Sequence, residues 1–149
     1  MDARLQDRVN RFEIAVAFAR QMIEELGEEK AYSIIQRAFE KLQIQNAHNL
    51  QEKLRGNSLE ALAEHNRKMA KELEGFELLE VTDRHVALKI TRCVAWEALQ
   101  QLGLPEICPL YCKSDHVYIK AFNPKMKMVR TKTIAGGDAY CDHIWALED

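Results

Sequence analysis

Hydrophobic side chains in the first half of the chain recur at three- and four-residue steps, the spacing of an amphipathic helix. The first stripe predicts a helix from about Arg4 to Leu26, with Gly27 as its C-cap. A second stripe predicts a helix from about Glu28 to Leu42, with acidic residues in its first turn. The polar stretch Glu40–Asn49 is either the tail of this helix or a linker.

The clearest helix start in the chain follows Gly56. Ser58 or Asn57 can cap a third helix that begins at Leu59, and Gly75 ends it. The apolar stripes of all three helices are typical of packing surfaces, either within the core or across a dimer.

From residue 76 onward the pattern changes to short runs in which apolar and polar positions alternate. The runs Phe76–Val81 and Val86–Ile90 predict a β-hairpin with a polar turn. Val94–Leu102 predicts a short helix, which Gly103 and Pro105 end. Further strands, with a tight turn before the last of them, are predicted at Val117–Phe122, Met126–Ile134 and Tyr140–Leu147.

Helices gathered before strands indicate an α+β fold with a mainly antiparallel sheet, and not a parallel βαβ arrangement. We expect one domain over residues 1–149, with a helical part at 1–75 and a β-rich part containing one short helix at 76–149. One face of the sheet is expected to lie under the 94–102 helix or under the N-terminal helices.

Composition and charge exclude several classes of partner. The 149 residues are 47% hydrophobic and 30% charged with a net charge of −2, so neither disorder nor a basic nucleic-acid surface is expected. The longest apolar stretch near the N-terminus, Ile14–Ala19, is too short to cross a membrane. We therefore expect a cytoplasmic protein with reduced thiols. We also expect a homodimer, because three amphipathic helices offer more apolar surface than a small sheet can cover.

All four cysteines lie in the last third of the chain, at Cys93, Cys108, Cys112 and Cys141. Structural zinc sites usually supply two close pairs of ligands, and only Cys108 and Cys112 are close here. A zinc or iron site remains open, with Cys93, Cys112 and Cys141 as its ligands. The alternative is that the thiols are buried and act as small hydrophobic groups.

Titratable side chains accompany two of these cysteines. Cys112 is followed by Lys113, Asp115 and His116, and Cys141 by His143. On a strand, Cys141 and His143 share a face, which pairs a nucleophile or ligand with a base. A cation near a thiol favours the thiolate. The plainer interpretation is that each histidine is an ordinary surface or core residue.

Three elements of the second half form one pattern: a cysteine before a short helix, a Cys-x-x-Asp element and a closing Gly-Asp-x-x-Cys-Asp element. This pattern resembles the L-2-amino-thiazoline-4-carboxylic acid hydrolase family over about residues 78–147. Cys108 has no place in the pattern. The matching residues are Cys93, Cys112, Asp115, Gly137, Asp138, Cys141 and Asp142.

The resemblance implies a hydrolase that opens a small cyclic thioimidate-like carboxylate and gives an N-carbamoyl cysteine. Cys141 or Cys112 would attack the ring carbon while His143 or Asp115 moves protons. Alternatively, thiolates and a carboxylate would hold a metal that activates water.

The catalytic set expected from the resemblance is completed by Cys93, and the substrate carboxylate would lie at Lys113 or at the Gly136–Gly137 amides. Gly137 and Asp138 are thus expected among the substrate-binding residues.

Two other functions fit the same residues. The chain could be a non-enzymatic sensor that binds a small molecule or a metal. It could also be an interaction module in which the N-terminal helices pair across a dimer and the cysteines are inert.

Overall fold

The computed structural model describes residues 2–149 and has the predicted α+β architecture. Helix α1 is capped by Asp2, whose side chain accepts the N–H of Leu5, and α3 is capped by Ser58 as expected. The helices are α1 (Ala3–Leu26), α2 (Glu28–Leu54), α3 (Leu59–Glu72), α4 (Val94–Gln101), α5 (Cys108–Lys113) and α6 (Asp115–Phe122).

Four antiparallel strands form one sheet in the order β1-β2-β4-β3. The strands are β1 (Phe76–Val81), β2 (His85–Ile90), β3 (Met126–Val129) and β4 (Cys141–Leu147). The predicted hairpin and the predicted last strand are therefore confirmed. The register between β2 and β4 pairs Ile90 with Cys141 and Leu88 with His143. Cys141 and His143 are two residues apart on β4 and therefore face the same side of the sheet.

Helix α2 runs through two hydrophobic clusters. The first packs its N-terminal half with α1, α4 and α5, and the second packs its C-terminal half with α3, α6 and the sheet. The sheet is thus contacted by α3 and α6, the C-terminal half of α2 belongs to the same hydrophobic cluster, and α4 lies against α1. Of the two coverings that the sequence allowed, the one by an N-terminal helix is therefore confirmed, through α3.

The prediction of a strand at Val117–Phe122 is wrong, because this segment is part of helix α6. Ile119 and Phe122 are fully buried at helical spacing. The Gln51 amide of α2 also donates to the carbonyls of Ala121 and Phe122, which satisfies two acceptors at the end of the helix. Contacts with a helix about 70 residues earlier therefore override the local alternation of the six residues 117–122.

Two other boundaries differ from the predictions. The stretch Glu40–Asn49 continues α2, because Gln43 and Ala47 are buried on the same face as Phe39. The strand predicted at Met126–Ile134 ends at Val129. Beyond it the Asp142 carboxylate accepts backbone N–H groups of the following segment, which therefore leaves the ladder.

No helix within residues 2–149 combines the length and the apolar character needed to span a bilayer. Ile14 and Phe18, one turn apart on α1, are 69% and 67% exposed. The homodimer stays a prediction.

Candidate active site

A cleft of about 500 Å³ lies where the two hydrophobic clusters meet, within the size range of small-molecule sites. Its walls come from α1, α3, the sheet, the start of α4, α5 and α6. Three of the candidate catalytic residues line it together: Cys93, Asp115 and His143. Residues from distant parts of the chain therefore converge on one cavity.

Cys93 occupies the N-cap position of α4, where its Sγ accepts the N–H of Trp96 at 3.4 Å. A hydrogen bond with the Cys108 thiol, the backbone N–H groups of Trp96 and Ala95, and the Arg8 guanidinium lower the pKa of Cys93 to about 6, against the opposing effect of burial. These neighbours favour the thiolate form of Cys93.

Cys108, which has no place in the sequence pattern, lies between the sulfurs of Cys93 and Cys112. It is fully buried, and the adjacent sulfurs of Cys112 and Cys93 together with burial raise its pKa, so it remains a donor. The same thiol lowers the pKa of Cys112. Because one thiol has one proton, it can donate to only one of its neighbours at a time. Cys93 also has helix N–H groups, which favours the thiolate there.

The alkylation rate of Cys93 should follow this ionisation. We expect Cys93 to be the fastest of the four cysteines to react with iodoacetamide, with a half-maximal rate near pH 6 and about a tenfold loss per unit below it. Peptide mapping after alkylation at several pH values would measure this. Cys108→Ala removes the donor and should move the midpoint to higher pH. A midpoint near the ordinary thiol value of about 8.5 in the unchanged protein would contradict the assignment.

Asp115 is held by two neighbours at the edge of the cleft. Its Oδ2 accepts Arg130 Nη1 at 2.8 Å and its Oδ1 accepts Gln43 Nε2 at 2.9 Å. Burial raises the pKa of the Asp115 carboxyl, while Arg130 and Gln43 oppose that rise. Arg130 is only 7% exposed and also donates to the Cys112 carbonyl, so the pair fixes α5 and α6 against the chain after β3.

His143 lies on β4 with its ring edge-on to Trp145. Burial, together with the charge of Arg130, lowers the pKa of His143 to about 4. The imidazole in the cleft is therefore neutral at pH 7, with one ring nitrogen that can donate a hydrogen bond and one that can accept one.

The closing Gly-Asp-x-x-Cys-Asp element has a local structural role. Asp138 accepts the N–H of Thr133, Cys141 Sγ accepts the N–H of Ile134 at 3.2 Å, and Asp142 accepts the N–H groups of Thr131 and Lys132. Together they hold residues 131–134, and this positions Arg130 toward Asp115. Burial raises the pKa of Cys141, so this thiol stays protonated near neutral pH.

The remaining candidate residues lie outside the lining of the cleft. Lys113, Gly137 and Asp138 are exposed, and Cys112 is packed behind the cleft against the first hydrophobic cluster. Within residues 2–149 no three His, Cys, Asp or Glu side chains are arranged to hold a metal ion. The zinc or iron site with Cys93, Cys112 and Cys141 as ligands stays a prediction.

A sequence model of the L-2-amino-thiazoline-4-carboxylic acid hydrolase family matches residues 7–145, nearly the whole chain. The chain belongs to this family. The match extends through the N-terminal helices, which the resemblance seen in the sequence did not include. No curated protein sequence matches the chain significantly.

Two solved structures share the fold of this member of the hydrolase family. One is the phenol-responsive sensory domain of the transcription activator PoxR with phenol, at 12% identity and a TM-score of 0.57, over 99% of this chain and 92% of that one. The other is a trafficking protein particle complex subunit 3 from Naegleria fowleri covalently bound to palmitic acid. It has 10% identity and a TM-score of 0.55, over 96% of both chains.

Three side chains at or behind the cleft of this hydrolase-family chain had no signal in the sequence. Arg130 was one of many dispersed basic residues, and Arg8 and Asn66 occupied ordinary polar positions of predicted helices. Their roles depend on helices that meet only in the folded chain. Cys93 has a sequence signal besides the family pattern, because it directly precedes a predicted helix and thiolates are stabilised at helix N-termini.

Proposed function

We propose that the chain is a hydrolase that opens the ring of a small cyclic thioimidate bearing a carboxylate, with Cys93 as its nucleophile. The observation that carries the proposal is the position of Cys93 at the N-cap of α4, inside a ligand-sized cleft that also contains the His143 imidazole and the Asp115 carboxylate. Family membership adds the substrate class, L-2-amino-thiazoline-4-carboxylic acid.

The first half-reaction breaks the ring. The Cys93 thiolate adds to the ring carbon between sulfur and nitrogen, and the carbon–sulfur bond of the ring breaks. The ring sulfur leaves as a thiol after receiving the proton that the amidinium form of the substrate carries, and the neutral His143 imidazole can relay that proton. The substrate is then bound to Cys93 through an isothiourea carbon.

The second half-reaction releases the enzyme. Water adds to the isothiourea carbon while His143 takes a proton, and the Cys93 thiolate departs. One water is consumed and the product is N-carbamoyl cysteine. The Asp115 carboxylate, which retains unused lone pairs beyond its bonds to Arg130 and Gln43, is suited to accept the amidine N–H groups and orient the ring carbon.

A sensor that binds a small molecule without turning it over is the second candidate. It is favoured by apolar side chains in the cleft, among them Leu73, Phe76 and Trp145, and by the shared fold of a domain solved with phenol. This reading needs no reaction at Cys93.

One assay separates the two candidates. The purified chain is incubated with L-2-amino-thiazoline-4-carboxylic acid, product is followed by liquid chromatography with mass detection, and binding is followed by calorimetry. The hydrolase gives N-carbamoyl cysteine at many equivalents per chain. Saturable binding without product would instead support the sensor and reject the hydrolase.

A further inference from the structure

Two polar side chains in the cleft, those of Arg8 and Asn66, are placed to bind a ligand. Arg8 lies beside Tyr111 and Cys93, and its guanidinium opposes the effect of burial on the pKa of both groups. Arg8 of α1 lines the cleft but forms no ion pair with any residue in 2–149. Its guanidinium carbon lies 5.6 Å from the centroid of the Phe12 ring. This cation–π contact involves the charge of the guanidinium and does not itself satisfy its N–H donors.

The other two arginines of the cleft are already engaged. Arg92 is surrounded by the carboxylates of Asp2, Glu74 and Glu97, and Arg4 donates to the Glu74 carbonyl. Within residues 2–149 no carboxylate offsets the charge of Arg4 or of Arg8, but the Arg4 guanidinium is already bound to the Glu74 carbonyl.

Asn66 of α3 is the second group. Its side chain lines the cleft, the residue is 5% exposed, and its Nδ2 has no hydrogen-bond acceptor within residues 2–149. A buried donor without an acceptor destabilises a fold, and an apolar side chain of similar shape would avoid that cost. A polar group kept in a ligand-sized cleft at such a cost is suited to bind an acceptor that the ligand brings.

We infer that Arg8 and Asn66 are the specificity-determining donors of this site, with Arg8 binding the substrate carboxylate and Asn66 donating to a second acceptor of the same molecule. This inference depends on the proposed function, because it assigns residues to its substrate. It replaces Lys113 and the Gly136–Gly137 amides as the carboxylate subsite, since Lys113 and Gly137 are exposed outside the cleft lining.

Arg8 also acts on Cys93, whose pKa its charge helps to lower. If an Arg8 variant lost turnover, the loss could therefore come from weaker substrate binding or from a less reactive Cys93. Binding has to be measured without turnover, in the full chain carrying Cys93→Ser.

The test compares two probes by calorimetry: L-2-amino-thiazoline-4-carboxylic acid and 2-amino-2-thiazoline, the same ring without the carboxylate. In the Cys93→Ser chain we expect the acid to bind about tenfold or more tightly than the ring alone. Adding Arg8→Gln should remove that preference by weakening the acid only. Arg11→Gln, which changes an exposed arginine of the same helix, should leave both affinities unchanged.

Asn66→Leu gives an independent readout, because it should move affinity and stability in opposite directions. We expect both probes to bind about tenfold more weakly while the thermal midpoint stays equal or rises. A lower midpoint with unchanged binding would mean that Asn66 is structural and would overturn its assignment.

The outcomes separate this inference from the function on which it depends. If the unchanged chain gives no product and the Cys93→Ser chain binds neither probe, both proposals are overturned. If product forms but Arg8→Gln weakens both probes equally, or neither, the hydrolase stands and the assignment of Arg8 is wrong.

Discussion

Replacing Cys93 with serine should lower the turnover of L-2-amino-thiazoline-4-carboxylic acid by about 10³-fold or more while the chain stays folded. The thiolate is the attacking group, and a serine hydroxyl at the same helix N-terminus does not ionise near neutral pH. Serine can still accept the N–H of Trp96, so the cap of α4 is preserved. Product formation under saturating substrate measures the turnover, and circular dichroism shows whether the variant is folded.

The matched variant is Cys141→Ser, which changes the cysteine that the sequence pairs with His143. Cys141 is 6% exposed, burial raises its pKa, and its sulfur accepts the N–H of Ile134. Serine can make the same contact, so turnover should stay within a few-fold of the unchanged chain. Loss of activity in Cys141→Ser but not in Cys93→Ser would reverse the assignment of the nucleophile.

Replacing Arg130 with methionine should lower the free energy of unfolding by about 3–5 kcal/mol, because it leaves the Asp115 carboxylate buried without its cation. Arg130 is 7% exposed and Asp115 21% exposed, so water compensates little. The change also removes the donor to the Cys112 carbonyl that joins α5 to the segment after β3. Urea denaturation with linear extrapolation measures the loss.

Two further variants show whether the pair itself is the cause. Arg67→Met removes an exposed ion pair with Glu64 and should leave the urea midpoint unchanged. Arg130→Met combined with Asp115→Leu removes both charges and should regain most of the lost stability, although not activity. A single Arg130→Met variant as stable as the unchanged chain would mean that the ion pair does not hold the site.

The elements in which the hydrophobic pattern repeats over many residues, or which begin at a clear cap, could be predicted from the sequence. Ser58 before Leu59 starts α3, Gly27 ends α1, and the hairpin at residues 76–90 follows its alternation. The errors fall where a short segment depends on distant partners. Helix α6 is eight residues long, and its packing against α2 decides its structure.

The site could be predicted only in part. The family pattern picks out Cys93 and Asp115, and both line the cleft. It does not reveal that Asp138, Cys141 and Asp142 hold a loop, because their bonds go to backbone groups a few residues away that look alike in any sequence.

The most direct test of the account is acid quenching during a single turnover, followed by intact-mass analysis and peptide mapping. We expect a transient adduct of L-2-amino-thiazoline-4-carboxylic acid on the Cys93 peptide that forms before N-carbamoyl cysteine and decays as it accumulates. Product that forms at the full rate with every cysteine unmodified, or an adduct confined to another cysteine, would contradict it.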